Sequence, residues 1–90
     1  MKRVKIENFV SNSGRAVPNQ FIIHTDLGVY FQSYDSIIAF VSVEGKVFLD
    51  ENYWDYSVTT GKYRNSFLNE GIAETRRKID TNEYILTDLN

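Results

Sequence analysis

The chain has 90 residues, 42% of them hydrophobic and 14% aromatic, with a formal net charge of −2. That length sustains one hydrophobic core without covalent staples, and a single Pro with five Gly argues against disorder. With no cysteine, disulfides, thiolate nucleophiles and cysteine-ligated zinc are excluded, and the charge balance argues against a strongly acidic nucleic-acid mimic or a strongly basic nucleic-acid binder.

One domain spanning residues 1–90 is expected. Met1-Lys2-Arg3 is basic, but no apolar run follows it, and no stretch approaches the ~20 apolar residues of a membrane span. A soluble cytoplasmic protein without a membrane partner is expected. Charge is unevenly spread: residues 1–20 and 61–79 are net basic, whereas 21–60 and 80–90 are net acidic. Such blocks can pair within the fold or give a surface of two signs.

In chain order, residues 2–6 alternate through Val4 and Ile6 and predict a first strand, suited to a sheet edge. Residues 8–19, with Ser11, Asn12, Ser13, Gly14 and Pro18, predict a loop. Phe21 to Tyr34 predicts a hairpin turning through Asp26-Leu27-Gly28, with Thr25 facing Val29 and Ile23 facing Phe31. That register makes Phe21, Ile23, Val29 and Phe31 a core face, with Ile22, His24, Tyr30 and Gln32 partly exposed. Ile37 to Val43 is apolar on both faces and predicts a central strand. A Glu44-Gly45 turn then returns Lys46 to Leu49 alongside it, Val41 facing Phe48 and Phe40 facing Leu49.

The stretch from Tyr53 to Leu68 organises the rest. Thr60, Tyr63 and Phe67 share one helical face with Leu68 on its flank, Ser57, Thr59 and Thr60 are cap candidates, and Gly71 is the expected stop. Arg64 falls on the face that should be packed. It is expected to fold back to Asp55, with Asp50 second, and against the ring of Trp54 or Tyr56, because a guanidinium there needs a carboxylate. Snorkelling past Leu68 into water is the alternative. Ile72, Thr75 and Ile79 predict a second short helix, and Tyr84 to Leu89 a last strand. The fold class is therefore α+β: an antiparallel sheet of five or six strands, with two C-terminal helices on one face. One core is expected from Phe21, Ile23, Phe31, Ile38, Phe40, Val41, Phe48, Trp54, Tyr63, Phe67, Leu68 and Ile79.

The strings FQSYDSIIA, WDYSVTTGKYRNSFL and EYILTDLN carry a resemblance. They resemble a family of small uncharacterised proteins of tailed bacteriophages, in which an NQF…FQSY.S.IA hairpin precedes WDYS.TT.KY...FL. Here the matching residues run from Asn19, Gln20 and Phe21 through Trp54, Asp55, Tyr56 and Ser57 to Phe67 and Leu68. The resemblance implies a phage gene acting in the bacterial cytoplasm and supplies no catalytic residues.

No motif for phosphate, dinucleotide, serine-hydrolase or zinc-protease chemistry occurs. His24 is the single histidine, with only Asp26 near it in sequence, so neither a metal site, a cofactor nor an enzyme is expected. Tyr53, Trp54, Asp55 and Tyr56 read either as a core plug or as an aromatic anchor for a partner. The favoured function is a non-enzymatic module that binds a host or phage protein. The alternative is a weak nucleic-acid or nucleotide binder, using Arg76, Arg77 and Lys78 with Tyr30 and Tyr34 as stacking platforms. A small virion or assembly component rests on the resemblance alone.

Overall fold

The structure, a computed structural model, describes residues 3–90. Six strands form one sheet in sequential order: β1 (Val4–Val10), β2 (Ala16–Thr25), β3 (Gly28–Ser33), β4 (Ser36–Ser42), β5 (Val47–Asp50) and β6 (Tyr84–Thr87). Helices α1 (Val58–Leu68) and α2 (Ile72–Asp80) lie between β5 and β6. The fold is α+β, with both helices in the C-terminal half. The first five strands are antiparallel, but β6 runs parallel to β5, against the expectation of an all-antiparallel sheet. The reason is topological: parallel neighbours need a long crossover, and the two helices are that crossover.

β1 and β2 extend well beyond the expected first strand. Val10 still pairs with Ala16, so most of the expected 8–19 loop is ladder and only a tight turn connects it. There Ser11 N donates to Arg15 O and Gly14 N to Ser11 O. Polar side chains do not prevent pairing at a sheet edge, where both faces can meet water. Lys2 of the expected strand lies outside the described residues.

The β2–β3 hairpin differs from expectation by one register step. Thr25 faces Gly28, Ile22 faces Phe31 and Ile23 faces Tyr30. The loop is Asp26-Leu27 alone, closed by Thr25 Oγ1, which accepts from Leu27 N (3.1 Å) and Gly28 N (3.2 Å) and donates to Gly28 O (2.9 Å). Gly28 sits at φ 147°, and a Cβ there would overlap the Val41 carbonyl oxygen and stand 2.7 Å from the Phe40 ring. The β4–β5 register also moves by one, with Phe40 facing Phe48 and Ala39 facing Leu49, because the turn spans Val43 to Lys46.

These registers decide which face is core. Phe31, Ala39, Leu49 and Tyr84 are buried on the side that carries the helices, with Ile38 at a bulge, and Phe9, Val47, Trp54, Tyr63, Phe67, Leu68 and Ile79 pack on them. Phe67 stacks on Phe31 at 5.7 Å. Phe21, Ile23, Phe40 and Phe48, expected in that core, occupy the opposite face with Tyr30, because strand side chains alternate. Among the described residues no helix covers that face.

Helix α1 starts as its sequence directs: Ser57 Oγ accepts from Thr60 N at 3.1 Å. It ends at Asn69 rather than at Gly71. Asn69 takes the left-handed conformation (φ 56°), and Gly71 becomes the N-cap position of α2. Asparagine tolerates that region better than other side-chain-bearing residues, so the stop comes two residues early.

Gly28→Ala is expected to destabilise the fold by more than about 2 kcal/mol, since overlap adds to backbone strain. Urea unfolding measures this, and a change near zero would contradict the tight β3–β4 approach.

Candidate functional site

The segment between β5 and α1 is shaped first by Asp50. Its carboxylate is buried at the end of β5, accepting from Asn52 N (3.0 Å) and Tyr53 N (2.9 Å) with one oxygen and from Leu89 N (2.8 Å) with the other. Burial alone would raise its pKa. Hydrogen bonds from Leu89, Asn52, Asn90 and Tyr53 outweigh burial and hold it below its ordinary value. Trp54 N donates to Asp50 O at 3.0 Å, so one residue anchors the start of the WDYS segment twice over.

Arg64 anchors its middle. The side chain is 2% exposed; Nη1 donates to Trp54 O (2.8 Å) and to Asp55 Oδ1 (3.0 Å), and Nη2 to Asn65 Oδ1 (3.0 Å). The guanidinium carbon lies 5.3 Å from the centre of the Trp54 ring. A planar fork satisfies a carbonyl, a carboxylate and a ring together, which an ammonium cannot. Asp55, 35% exposed, also accepts from Arg76 Nη2 at 3.4 Å, so it joins the lead-in to both helices.

These anchors sort the aromatics. Trp54 turns inward and packs on the core, while Tyr53 and Tyr56 face out as an edge-to-face pair with ring centres 5.6 Å apart. The two readings of the segment therefore divide by residue: Trp54 is the plug, and the tyrosines form an exposed patch. Beside them lies an open cleft of about 690 Å³, lined among others by Tyr56, Val58, Gly61, Lys62, Arg64 and Arg76. Val58 is 92% exposed at its rim. A Cβ on Gly61 would meet Arg64 and Asp55 at 3.6–3.9 Å, so Gly61 packs closely against the ion pair. Lys62, Arg64 and Arg76 against Asp55 make the cleft positive. The Ser57 and Thr60 hydroxyls belong to structure instead: Ser57 caps α1, and Thr60 Oγ1 bonds Ser33 Oγ at 2.9 Å across to the sheet.

The proposed nucleic-acid residues are not brought together. Tyr30 is on the helix-free face of the sheet, Tyr34 is in the β3–β4 turn, and Arg76, Arg77 and Lys78 are on α2 across the sheet. Each cation also meets a carboxylate of its own chain: Arg76 with Asp55, Arg77 with Glu74 and Glu83, Lys78 with Glu70. The last pair is part of a cluster that sequence reasoning missed. Glu70 accepts from Lys78 Nζ (2.7 Å), Tyr84 OH (2.8 Å) and Thr75 Oγ1 (2.6 Å), tying α2 to β6. Burial opposes ionisation of Glu70, but those three donors hold its pKa below the ordinary value. The signal was a polar residue at 75 on the inner face of the second helix, which needed a polar partner.

His24 meets Glu7 of β1 rather than Asp26. Among the described residues no group of three or more His, Asp or Glu side chains could hold a metal, and no helix is long and apolar enough to cross a membrane. A family profile, "Family of unknown function (DUF8033)", matches residues 4–83. No curated protein and no solved structure matches the chain.

Asp50 and Glu70 both have lowered native pKa values, so the unfolded chain takes up protons first as pH falls. Their stabilisation is complete above the ordinary carboxylate range and is lost on acidification below about pH 4. Asp50→Asn is expected to flatten that acid slope in chemical denaturation across pH; an unchanged slope would contradict the anchoring role.

Proposed function

The chain belongs to this family of unknown function, and we propose that it is a small non-enzymatic protein-interaction module that docks its partner at the WDYS segment and the adjoining cleft. The observation that carries this reading is the outward Tyr53–Tyr56 pair, held by buried anchors on either side of it. Rigid exposed aromatics beside a polar cleft are the chemistry of an interaction hot spot. The partner that fits presents an apolar side chain to Tyr53, Tyr56 and Val58, and a carboxylate to the exposed cations of the cleft, Lys62 and Arg76. The resemblance to phage proteins adds a setting, an accessory protein that binds a host or phage protein in the cytoplasm of an infected bacterium.

Nuclease-treated bacterial lysate passed over the immobilised chain is expected to leave a discrete bound protein. Tyr53→Ala with Tyr56→Ala should weaken that retention by at least about tenfold, since hot-spot aromatics each contribute ~2 kcal/mol or more. Stability should change by less than about 1 kcal/mol, as for exposed sites. Retention that survives the double variant, or that depends on nucleic acid, contradicts the proposal.

A further inference from the structure

The face of the sheet opposite the helices has an occupant of its own to explain. One cross-strand row runs through all six strands: Ile6, Ile23, Tyr30, Phe40, Phe48 and Ile85. Its aromatics are stacked, Tyr30 on Phe40 at 4.4 Å and Phe40 on Phe48 at 6.1 Å. The ends are open, with Ile6 64% and Ile85 41% exposed. The flanking positions two residues away are Val4, Thr25, Gly28 and Ser42 on one side and Asn8, Phe21 and Gln32 on the other, all uncharged. The first side ends at the β5–β6 corner in one pair of opposite charges, Lys46 and Glu83. The charges of β1, Lys5 and Glu7, take the other side of the sheet, in register with His24 and Ile22.

We propose that this face is the interface of a homodimer, two copies of the chain packed sheet against sheet. Three observations select a second copy over other occupants. The first is charge. A nucleic-acid strand stacking on these rings would need a track of cations for its phosphates, and the flanks offer a single one, Lys46, beside Glu83 at one corner; a charged peptide finds only that one pair. A face whose only exposed flanking charges are one pair of opposite sign at a corner meets itself without repulsion.

The second is self-complementarity. The row is aromatic at its centre and aliphatic at both ends. A two-fold axis along the strands between β3 and β4 sets Tyr30 over the partner's Phe40, and Ile23 over the partner's Phe48. The same operation sets Ile6 over the partner's Ile85, which is the isologous geometry of a cyclic dimer.

The third is size. Six strands about 4.8 Å apart and roughly 20 Å long give a footprint on the order of 600 Å². A corrugated face has more accessible area than its footprint, which brings it near the ~800 Å² per partner of a standard interface. Such an apolar patch is at the upper limit of what monomers leave exposed. The chain is a slab with extents of 36 × 32 × 20 Å, and two slabs joined on this face make a four-layer body, helices outside and sheets within.

Sedimentation equilibrium of the whole chain, from micromolar to about millimolar concentration, is expected to show a dimer. Its melting temperature should rise with concentration. Ile6→Lys, at an edge position already exposed in one copy, should leave the fold intact and weaken dimerisation by at least about tenfold. Phe40→Asp, measured alongside with circular dichroism, should give a folded monomer; should it fail to fold, Ile6→Lys alone decides. A chain that stays monomeric throughout overturns the proposal, as does a dimer indifferent to Ile6→Lys. A monomer that binds phosphatidylcholine vesicles through this face also overturns it, in favour of a lipid surface. Tyr53→Ala with Tyr56→Ala should leave the dimer unchanged; loss of the dimer there would place the contact on the WDYS side instead.

Discussion

The Arg64 guanidinium is the buried charge on which the second layer of this fold depends. Removing an ion from water costs several kcal/mol, and the chain offsets that cost by drawing three oxygens and a ring around it. Two of the oxygens, Trp54 O and Asp55 Oδ1, belong to the segment before the helix. The charge is therefore satisfied only when that segment closes onto α1. Closing it turns Trp54 inward and Tyr53 and Tyr56 outward, so one ion pair sets both the packing and the exposed surface.

Other polar contacts extend the same logic across the interface between sheet and helices. The Ser33–Thr60–Ser57 hydroxyl chain joins β3 to the start of α1, Asp50 joins the end of β5 to the C-terminal tail, and the Glu70 cluster joins α2 to β6. Polar networks of this kind fix orientation because a shift leaves a buried group unpaired. Among the described residues two depart from this: the Gln20 side chain is fully buried beside Ser33 in the sheet with neither amide atom partnered, and the Arg64 Nε is buried without an acceptor. The helix side of the sheet thus carries the polar specificity, and the bare side carries uncharged rings.

The order of elements and the helix pair were legible in the sequence because period-2 and helical spacing are strong there. Which face of β2 and β3 would meet the helices was not. Phe21 and Ile23 alternate with Ile22, and Tyr30 with Phe31, so both faces are apolar and patterning cannot choose a register. The choice is made by Thr25 closing a two-residue loop and by Gly28 pressed against β4, neither visible as hydrophobicity. The parallel pairing of β6 was hidden for a similar reason: alternation in Tyr84–Thr87 states that a strand exists, not its direction. Arg64 was legible because a charge at an apolar helical position demands a partner. The Glu70 cluster was not: Thr75 signals that a polar partner is needed, but its partners lie in the α1–α2 connection and on β6, where nothing in the local pattern marks them.

A double-mutant cycle on Asp55 and Arg64 tests the account most directly. Asp55→Ala, Arg64→Ala and the double variant are compared by urea unfolding. The account predicts a coupling above about 1 kcal/mol, larger than exposed ion pairs give, because one partner is buried. It also predicts that each single variant shifts Trp54 fluorescence toward a more solvated environment. Additive effects with an unchanged Trp54 spectrum would contradict it, leaving the segment held by packing and Asp50 alone.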